Sequence, residues 1–521
     1  MISYIIAWLE HKVKVHKKQN EKQTDSVNLC EILWKRFEKP GKPPDGLAIP
    51  RTQGYNSPRA AGRAAAWIFT KGGACQEMLF TRRQILSLLL PLMLEQLLSG
   101  LMGIADTMMV TAVGESAISA VSLVDTVNVL MLNLLSALAA GGVIVCSQYL
   151  GRGEADRAAN AARQVLLAAL GLSLVVMALC LLLRRPLLAL IFGAVEPAVM
   201  EQALTYFLIT ALSYPFLAAQ QTAAAVFRAE GRSAPPMAVA AAANAVNIAG
   251  NAVLIFVFHQ GVAGAALATL ISRVLSAVVL MALLRSRKLT VSIRDYRSIR
   301  PDRAVMGTVL RVGVPTGVEN AMFQLGKLMV QSTVATFSTA AIAAHAMAQT
   351  LDMVQSMPSI AIGLGLLTVV GQCMGAGRVE EARACIKRFC LLSEGAMLVM
   401  STLVVASTPL VTRLSRMSPD SAGLTFRLIL LVSAGKLAFW VLAFTLPQGM
   451  RAAGDVRFAA GVSAASMWIF RVGLCLLLCR GFGVGLYGVW IAWLADWLCR
   501  AAVYTLRFRS GKWTGFRVLR G

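Results

Sequence analysis

Residues 85–112 read ILSLLLPLMLEQLLSGLMGIADTMMVTA, a stretch whose only ionisable residues are Glu95 and Asp106. A helix of about 20 apolar residues crosses the hydrocarbon core of a bilayer, so this run is long enough for one crossing. A carboxylate inside a membrane is unfavourable and usually marks an ion path or a paired charge. The stretch therefore predicts a transmembrane helix that contains a functional acid.

Apolar runs of similar length fill the chain after residue 84. Of the 521 residues, 57% are hydrophobic and 15% are charged, and the mean hydropathy is +0.65. This composition is typical of a polytopic membrane protein. The alternation of apolar and polar residues that a membrane β-barrel needs is scarce. We therefore expect an all-α membrane protein with about a dozen crossings, given the length that each one needs.

Charge and cysteine content exclude several other classes of protein. The net charge of +24 is spread over short loops between apolar runs, so it does not predict a nucleic-acid interface. The cysteines lie mostly in apolar runs, where cysteine behaves as a small hydrophobe, so they do not indicate a framework of disulfides. No two of the four histidines have the spacing of a metal pair. We expect no metal centre, no catalytic residues and no cofactor.

The first 77 residues differ from the rest of the chain. They are polar and basic, with KVHKKQNEKQTD at 14–25 and EKPGKPPDG at 38–46, and they lack the pattern of a signal peptide. Met78 directly precedes a basic pair and the first apolar run. We expect residues 1–77 to be disordered or a non-native extension.

The remaining sequence is duplicated. Pro91 and Glu95 recur 224 residues later as Pro315 and Glu319, and the motif FRAEG at 227–231 recurs as MRAAG at 450–454. Gln148, Gly151 and Gly153 likewise recur as Gln372, Gly375 and Gly377. The two halves are therefore homologous and should have the same number of crossings.

Each half divides into six apolar runs. We expect one lobe at residues 78–284, a charged cytoplasmic linker at 285–304, a second lobe at 305–510 and a cytoplasmic tail at 511–521. The predicted spans are 84–111, 117–148, 160–183, 203–227, 236–258 and 262–284 in the first half, and 305–336, 341–370, 388–411, 424–449, 457–479 and 485–507 in the second. The fold class is thus twelve transmembrane helices in two homologous six-helix lobes around a central cavity.

Basic residues predict the orientation of the chain. They are concentrated at both ends, in the linker and in the even-numbered loops, whereas the odd-numbered loops hold few. The positive-inside rule then places both termini in the cytoplasm. The Gly-x-Gly turns at Gly151 and Gly375 follow no strand and lack a P-loop lysine, so they are helix caps rather than nucleotide sites.

Three motifs carry a family resemblance: LPLMLEQLLSGLMGIADTMMVTAVGESAISAVSL at 90–123, SQYLGRGEADRA at 147–158 and FRAEGRSAPP at 227–236. Together they resemble the multidrug and toxic compound extrusion (MATE) family, in its bacterial branch, from about residue 80 to the end. The resemblance implies an antiporter that exports organic, often cationic, drugs in exchange for protons or sodium by alternating access. It also implies a multi-pass protein of the plasma (inner) membrane, which we expect to be a monomer in the lipid bilayer.

Asp106 is the first candidate for ion coupling. An aspartate here matches the family's cation-linked acid, although its position near the end of the span also allows simple contact with interfacial water. Asn244, Asn247 and Asn251 share one face of the fifth span. Asn247 and Asn251 are candidates to supply oxygen ligands to a sodium ion or hydrogen bonds to Asp106, and Asn244 is a candidate to line the substrate cavity. The alternative role of all three is hydrogen bonding between helices.

The second half does not repeat this acid, because Val330 stands at the position matching Asp106. A glutamate found in several relatives is replaced by Phe323. Glu95 and Glu319 occupy equivalent places, and they either fix the helices by hydrogen bonds or bind cationic drugs in the cavity. We expect Lys327 and Asp352, on adjacent spans, to neutralise each other.

Substrate contacts should come from the spans that line the cleft. Gln349 and Asp352 are polar candidates on the eighth span. Met109 and Met353 belong to a set of methionines on these spans that would supply an adaptable apolar surface.

Three other functions compete with drug export. A flippase for lipid-linked oligosaccharide would need a strongly basic central cavity, whereas the predicted lining is mainly apolar with a few acids. A membrane enzyme would need clustered ligands that this sequence lacks. A passive channel suits a two-lobed repeat less well than a rocking transporter does.

Overall fold

The computed structural model describes residues 79–193, 196–294, 296, 300–516 and 518–519. Throughout these ranges the regular structure is helical, without a strand. The extension predicted for residues 1–77 lies outside the described residues. The all-α prediction is confirmed.

Six helical spans form the first half. They are α1 (Arg82–Thr111), α2 (Glu115–Gly151), α3 (Ala155–Leu182), α4 (Pro197–Leu212 with Tyr214–Ala229), α5 (Ala234–Val257) and α6 (Gly261–Leu283). α4 is bent by 43° between its two segments, a feature that the sequence analysis did not predict. Pro215 lies at the start of the second segment and lacks the N–H that a continuous helix needs.

Six further spans form the second half. They are α7 (Arg303–Val334), α8 (Thr339–Gly375), α9 (Val379–Leu414), α10 (Pro419–Ala453), α11 (Val456–Gly481) and α12 (Leu486–Arg509). Within the described residues, ten helices are long and apolar enough to cross a membrane, or eleven if bent α4 counts as one. α7 completes the twelve, although Arg311, Glu319 and Lys327 interrupt its apolar sequence.

Wide π-helical turns interrupt three spans. In the described residues they cover Ala252–Val257 in α5, Lys436–Thr445 in α10, and both Met467–Leu474 and Leu477–Gly481 in α11. Such turns place an extra residue in the helix and are common at functional sites. Here they begin directly after Asn251 and include Lys436 and Arg471, all three of which take part in the polar clusters described below.

The two halves are joined where α2 and α8 end. Gln148 Nε2 donates to the Ala452 carbonyl at 2.7 Å, and Gln372 Nε2 donates to the Ala229 carbonyl at 2.7 Å. A Cβ atom at Gly151 or Gly375 would clash with the backbone of the opposite half. We call this region the joined end. The close approach of the two backbones explains why the duplicated motif keeps Gly151 and Gly375. Gly153 and Gly377 form the predicted tight turns, with φ of +78° and +73°.

The predicted linker packs along α3. Gln164 donates to the Arg300 carbonyl at 2.8 Å and accepts from the Asp302 N–H at 3.0 Å. Asp302 caps α7, since its Oδ1 accepts from the N–H groups of Ala304 and Val305 at 3.0 and 3.2 Å. These hydrogen bonds lower the pKa of Asp302, with that from Val305 as the largest cause.

Candidate functional site

Asp106 lies inside the first half, against the asparagine face of α5. Asn251 Nδ2 donates to Asp106 Oδ1 at 2.6 Å. With the Asn247 amide oriented so that its oxygen faces Thr269, its Nδ2 lies 2.9 Å from the same Asp106 oxygen. Asn251 Oδ1 is buried and has no hydrogen-bond partner among the described residues. Asp106, Asn247 and Asn251 thus form one cluster.

A second carboxylate lies close to this cluster. Asp125 accepts from Asn128 Nδ2 at 3.2 Å and from the Tyr206 hydroxyl at 3.4 Å. Together with Asp106 and Arg273, it lines a cavity of about 170 Å³. Arg273 donates to Ser213 Oγ at 2.6 Å and makes no ion pair with either carboxylate within the described part of the chain.

A larger space, the first-lobe cavity, adjoins this cluster. Its volume is about 520 Å³, and its lining includes Glu95, Asp106, Asn244, Arg228 and Arg273. Asn244 lines this cavity, and its Nδ2 also donates to the Leu98 carbonyl at 3.2 Å. Asp106 therefore borders both the small cavity and the large one.

Glu95 and Glu319 each pair with an arginine of their own half. Glu95 Oε1 lies 2.5 Å from Arg228 Nη2, and Glu319 Oε1 lies 2.6 Å from Arg451 Nη2. Both arginines belong to the repeated motif of FRAEG and MRAAG. The arrangement supports the structural role for these glutamates, because a neutralised carboxylate attracts a cationic drug only weakly.

A third space, the second-lobe cavity, lies among α7, α8, α10, α11 and α12. It has a volume of about 680 Å³ and shares Ile360 and Leu364 with the first-lobe cavity. The remaining lining combines aromatic rings with charged and polar side chains, including Phe323, Lys327, Gln349, Asp352, Met353, Trp440, Arg471, Trp493 and Trp497.

The predicted pair of Lys327 with Asp352 is wrong. Asp352 Oδ1 instead lies 2.8 Å from Lys436 Nζ, and this ammonium also donates to Ser356 Oγ at 2.6 Å. Because Lys436 is fully buried, it needs a carboxylate partner more than Lys327 does. Lys327 faces the cavity, where its Nζ lies 5.4 Å from the centre of the Phe323 ring.

The remaining predicted contacts separate into two groups. Gln349 and Met353 line the second-lobe cavity, with Gln349 Nε2 2.9 Å from His345 Nε2. Met109 lines neither large cavity and packs against a buried apolar cluster of the first half. The prediction that Met109 belongs to a cavity surface is therefore not supported by its surroundings.

Sequence reasoning missed Arg273, Tyr206 and the arginine partners of the two glutamates. Arg273 was detectable, because it is the only charge within the apolar run of α6. Arg228 and Arg451 were visible as repeated residues, but their pairing depends on how α4 and α10 return to α1 and α7. Tyr206 gave no signal in the sequence.

Comparison with known proteins identifies a family and several relatives that this chain resembles. The MatE family profile matches residues 91–253 and 315–477. The uncharacterized transporter YisQ of Bacillus subtilis is 26% identical over 82% of this chain and 94% of its own length. The probable multidrug resistance protein NorM of Thermotoga maritima is 25% identical over 84% and 94%.

Solved structures share the fold. A crystal structure of MATE in complex with MaD3S aligns with a TM-score of 0.77 at 20% identity, covering 82% of this chain and 95% of that one. Its likeness supports the arrangement of twelve helices as two six-helix lobes.

Proposed function

The chain belongs to the MATE family of efflux transporters, and from this premise we propose that it exports drug-like organic compounds in exchange for sodium ions or protons. It is a transporter rather than an enzyme. We further propose that it works in the plasma (inner) membrane and that its only cofactor is the coupling ion. The observation that carries the proposal is the convergence of Asp106, Asn247 and Asn251 beside a large cavity.

The ligand set suits a hard cation. Sodium, like other hard cations, prefers carboxylate, amide and hydroxyl oxygens. The cluster supplies the Asp106 carboxylate and the buried Asn251 Oδ1, which lacks a partner in the described residues, with the Thr269 hydroxyl adjacent. The unpaired amide oxygen favours sodium, while protonation of Asp106 alone is the competing possibility.

Coupling follows from the position of Asp106 at two cavities. When Asp106 is charged, it attracts an organic cation into the first-lobe cavity. Binding of sodium or a proton removes that charge, which weakens the hold on the substrate. The same carboxylate would thus serve the two ligands at different stages of the cycle, as exchange across one membrane requires.

The proposed orientation of the chain in the membrane follows from the positive-inside rule. Arg152 and Arg378 follow α2 and α8 at the joined end, and the basic linker packs along α3 nearby. We propose that this end and both termini face the cytoplasm. The conformation is then closed toward the cytoplasm, as expected for the stage at which substrate leaves the cell.

The test is transport of rhodamine 123, a fluorescent cation, in proteoliposomes with an imposed sodium or proton gradient. We expect gradient-dependent transport by the wild type and its loss in Asp106→Asn, because the variant lacks the ionisable group that binds the coupling ion. The matched control is Asp420→Asn at the exposed start of α10. Equal transport by Asp106→Asn and wild type would overturn the assignment of Asp106, and transport without a gradient would overturn antiport.

A further inference from the structure

The second-lobe cavity carries more positive than negative charge, so the expectation of a mainly apolar lining with a few acids is wrong for this cavity. Lys327 and Arg471 line it, and Lys436 and Arg500 lie directly behind its wall. Against these four cations stand two carboxylates, those of Asp352 and Asp496.

Both carboxylates already have cationic partners. Asp352 is paired with Lys436 at 2.8 Å. Asp496 is bound on one side by Arg471 at 3.1 Å and on the other by Arg500 at 2.8 Å. Two positive charges therefore remain without a counter-charge in this group of side chains. Glu319 does not compensate for them, because it is paired with Arg451.

Lys327 is the cation most available to a ligand. Its side chain is exposed to the cavity and makes neither an ion pair nor a hydrogen bond with the described part of the protein. Arg471 is buried and its Nε faces Asp496, but its two Nη atoms make no hydrogen bond to any described residue. A guanidinium with free terminal nitrogens is suited to bind a carboxylate, sulfonate or phosphate.

Several aromatic rings of this cavity already have a cation of the protein over one face. Arg471 lies 4.7 Å from the Trp493 ring centre and 5.0 Å from that of Phe323. Lys436 lies 4.8 Å from the ring centre of Trp440. An organic cation would have to displace these groups to reach the ring faces, and would meet their charges on the way. The occupied faces of Phe323, Trp440 and Trp493 are thus poorly suited to a cationic drug, while the ring edges can still contact an apolar ligand body.

The internal repeat shows how this charge arose. In the first half, the Asn247 side chain lies 3.3 Å from Thr269 Oγ1 and 3.5 Å from Ser272 Oγ. In the second half, Arg471 contacts Trp493 and Asp496, the residues 224 positions after Thr269 and Ser272. Arg471 therefore takes the place of Asn247, and Val330 takes that of Asp106. The second half has a fixed cation where the first half has the ligands of a cation.

We propose that the second-lobe cavity binds an amphipathic organic anion, with an aromatic or aliphatic body and a carboxylate, sulfonate or phosphate group held by Lys327 and Arg471. Its volume of about 680 Å³ lies within the range of small-molecule sites, roughly 300–1,000 Å³. A counter-anion would also relieve the unfavourable free energy of uncompensated charge inside a membrane. That the bound anion is exported rests on the function proposed above; the binding itself does not.

Direct binding to the full chain in phosphatidylcholine nanodiscs tests this proposal. Fluorescence anisotropy would compare carboxyfluorescein, an anion, with rhodamine 123, a cation that has the same xanthene core. We expect Lys327→Gln to weaken carboxyfluorescein binding about tenfold, as the loss of one charged contact worth about 1.4 kcal/mol does. Lys327→Arg should retain the affinity. Lys288→Gln, at an exposed linker position, is the matched control and should bind as the wild type does.

The outcomes separate this proposal from the one before it. Wild-type affinity for carboxyfluorescein in Lys327→Gln, or no saturable binding by the wild type, would overturn the anion site. Since the assay uses no ion gradient, anion binding that depends on Lys327 would stand even if Asp106 proved irrelevant to transport. Conversely, gradient-driven transport that depends on Asp106 would stand if carboxyfluorescein failed to bind.

A lipid headgroup shares the chemistry of the proposed ligand, and a competition arm distinguishes the two sources. Short-chain dihexanoyl phosphatidylglycerol would be added to the carboxyfluorescein complex, with dihexanoyl phosphatidylcholine as the zwitterionic control. Competition by phosphatidylglycerol alone supports an anion site that accepts a phospholipid headgroup. Failure of both to compete supports a site for free organic anions.

Discussion

Gln148 and Gln372 make reciprocal contacts across the two lobes. Each side-chain amide donates at 2.7 Å to a backbone carbonyl that follows an arginine of the opposite lobe, at Ala452 and Ala229 respectively. The Thr368 hydroxyl adds a bond to the Arg228 carbonyl at 2.9 Å. Since the same backbone turns carry the arginines that pair with Glu95 and Glu319, the joined end connects the contact between lobes with the ion pairs inside each lobe.

The close approach at the joined end predicts the effect of one methyl group. In Gly375→Ala, the new Cβ would clash with the backbone of Gln148, and overpacking of this kind costs about 1–3 kcal/mol. We expect transport to fall about tenfold and thiol reagents to reach a Ser147→Cys marker at the joined end more quickly. Gly395→Ala, which meets nothing within 4 Å, is the control. Normal transport in Gly375→Ala would show that the glycine is not needed for closure.

The ion pair of Glu319 with Arg451 predicts a loss of stability rather than of substrate binding. Both side chains are about nine-tenths buried, so Glu319→Gln leaves a guanidinium without its partner at a cost of about 3–5 kcal/mol. We expect a lower melting temperature of the purified protein, with partial recovery in Glu319→Gln combined with Arg451→Gln.

The surface pair of Glu380 with Arg383 provides the control, because Glu380 is 79% exposed. Glu380→Gln should change the free energy of unfolding by less than about 1 kcal/mol. A fully stable Glu319→Gln protein with altered drug transport would favour the alternative, in which Glu319 binds substrate.

The unpaired oxygen of Asn251 predicts a selective defect in sodium coupling. Asn251→Ala removes this oxygen together with the hydrogen bond to Asp106. We expect the sodium concentration for half-maximal transport to rise about tenfold, which corresponds to one lost ligand contact of about 1.4 kcal/mol. Transport in sodium-driven proteoliposomes, titrated with sodium, measures it.

Asn244→Ala is the matched variant for this experiment, since Asn244 lies on the same face of α5 but bonds to the Leu98 carbonyl. An unchanged sodium requirement in Asn251→Ala would contradict the assignment of Asn251 as a sodium ligand. Proton-driven transport that needs no sodium in the wild type would identify the proton as the coupling ion.

The cap on α7 predicts a pH-dependent contribution to stability. Asp302→Ala removes the acceptor of the Ala304 and Val305 N–H groups and should lower the free energy of unfolding by about 1 kcal/mol at neutral pH. Folding lowers the pKa of Asp302, so its contribution is present above the ordinary pKa and is lost as pH falls through the lowered one. Melting temperatures of wild type and variant should therefore converge in acid.

Asp156→Ala, in the exposed first turn of α3, controls for loss of an acidic residue near a helix start. A difference between wild type and Asp302→Ala that stays constant down to strongly acidic pH would contradict the assigned charge effect.

Much of the fold could be predicted from the sequence because membrane helices obey strong local constraints. Every backbone polar group in a bilayer must be bonded within its own helix, so the lengths of apolar runs reveal the spans. The 224-residue repeat then relates the two halves. The bend of α4 was not predicted; it arises at Pro215, whose effect depends on neighbouring helices.

The candidate sites were predicted less completely, since the sequence does not show which opposite charge a given charged residue pairs with. Asp106, Asn247 and Asn251 could be associated because helical spacing puts the asparagines on one face. Lys436 was also visible as an intramembrane charge, yet only the packing of α10 against α8 brings it, rather than Lys327, to Asp352.

The all-α class, the duplication and the acid in the first span follow from the amino-acid sequence alone, because hydropathy and repetition are properties of the chain. Which charges neutralise one another, and which have no counter-charge in the described residues, depends on how the helices pack. Coulomb interactions depend on distances between helices that are far apart in the sequence, so the contrast between the acidic cluster at Asp106 and the cationic cavity at Lys327 exists only in the folded protein.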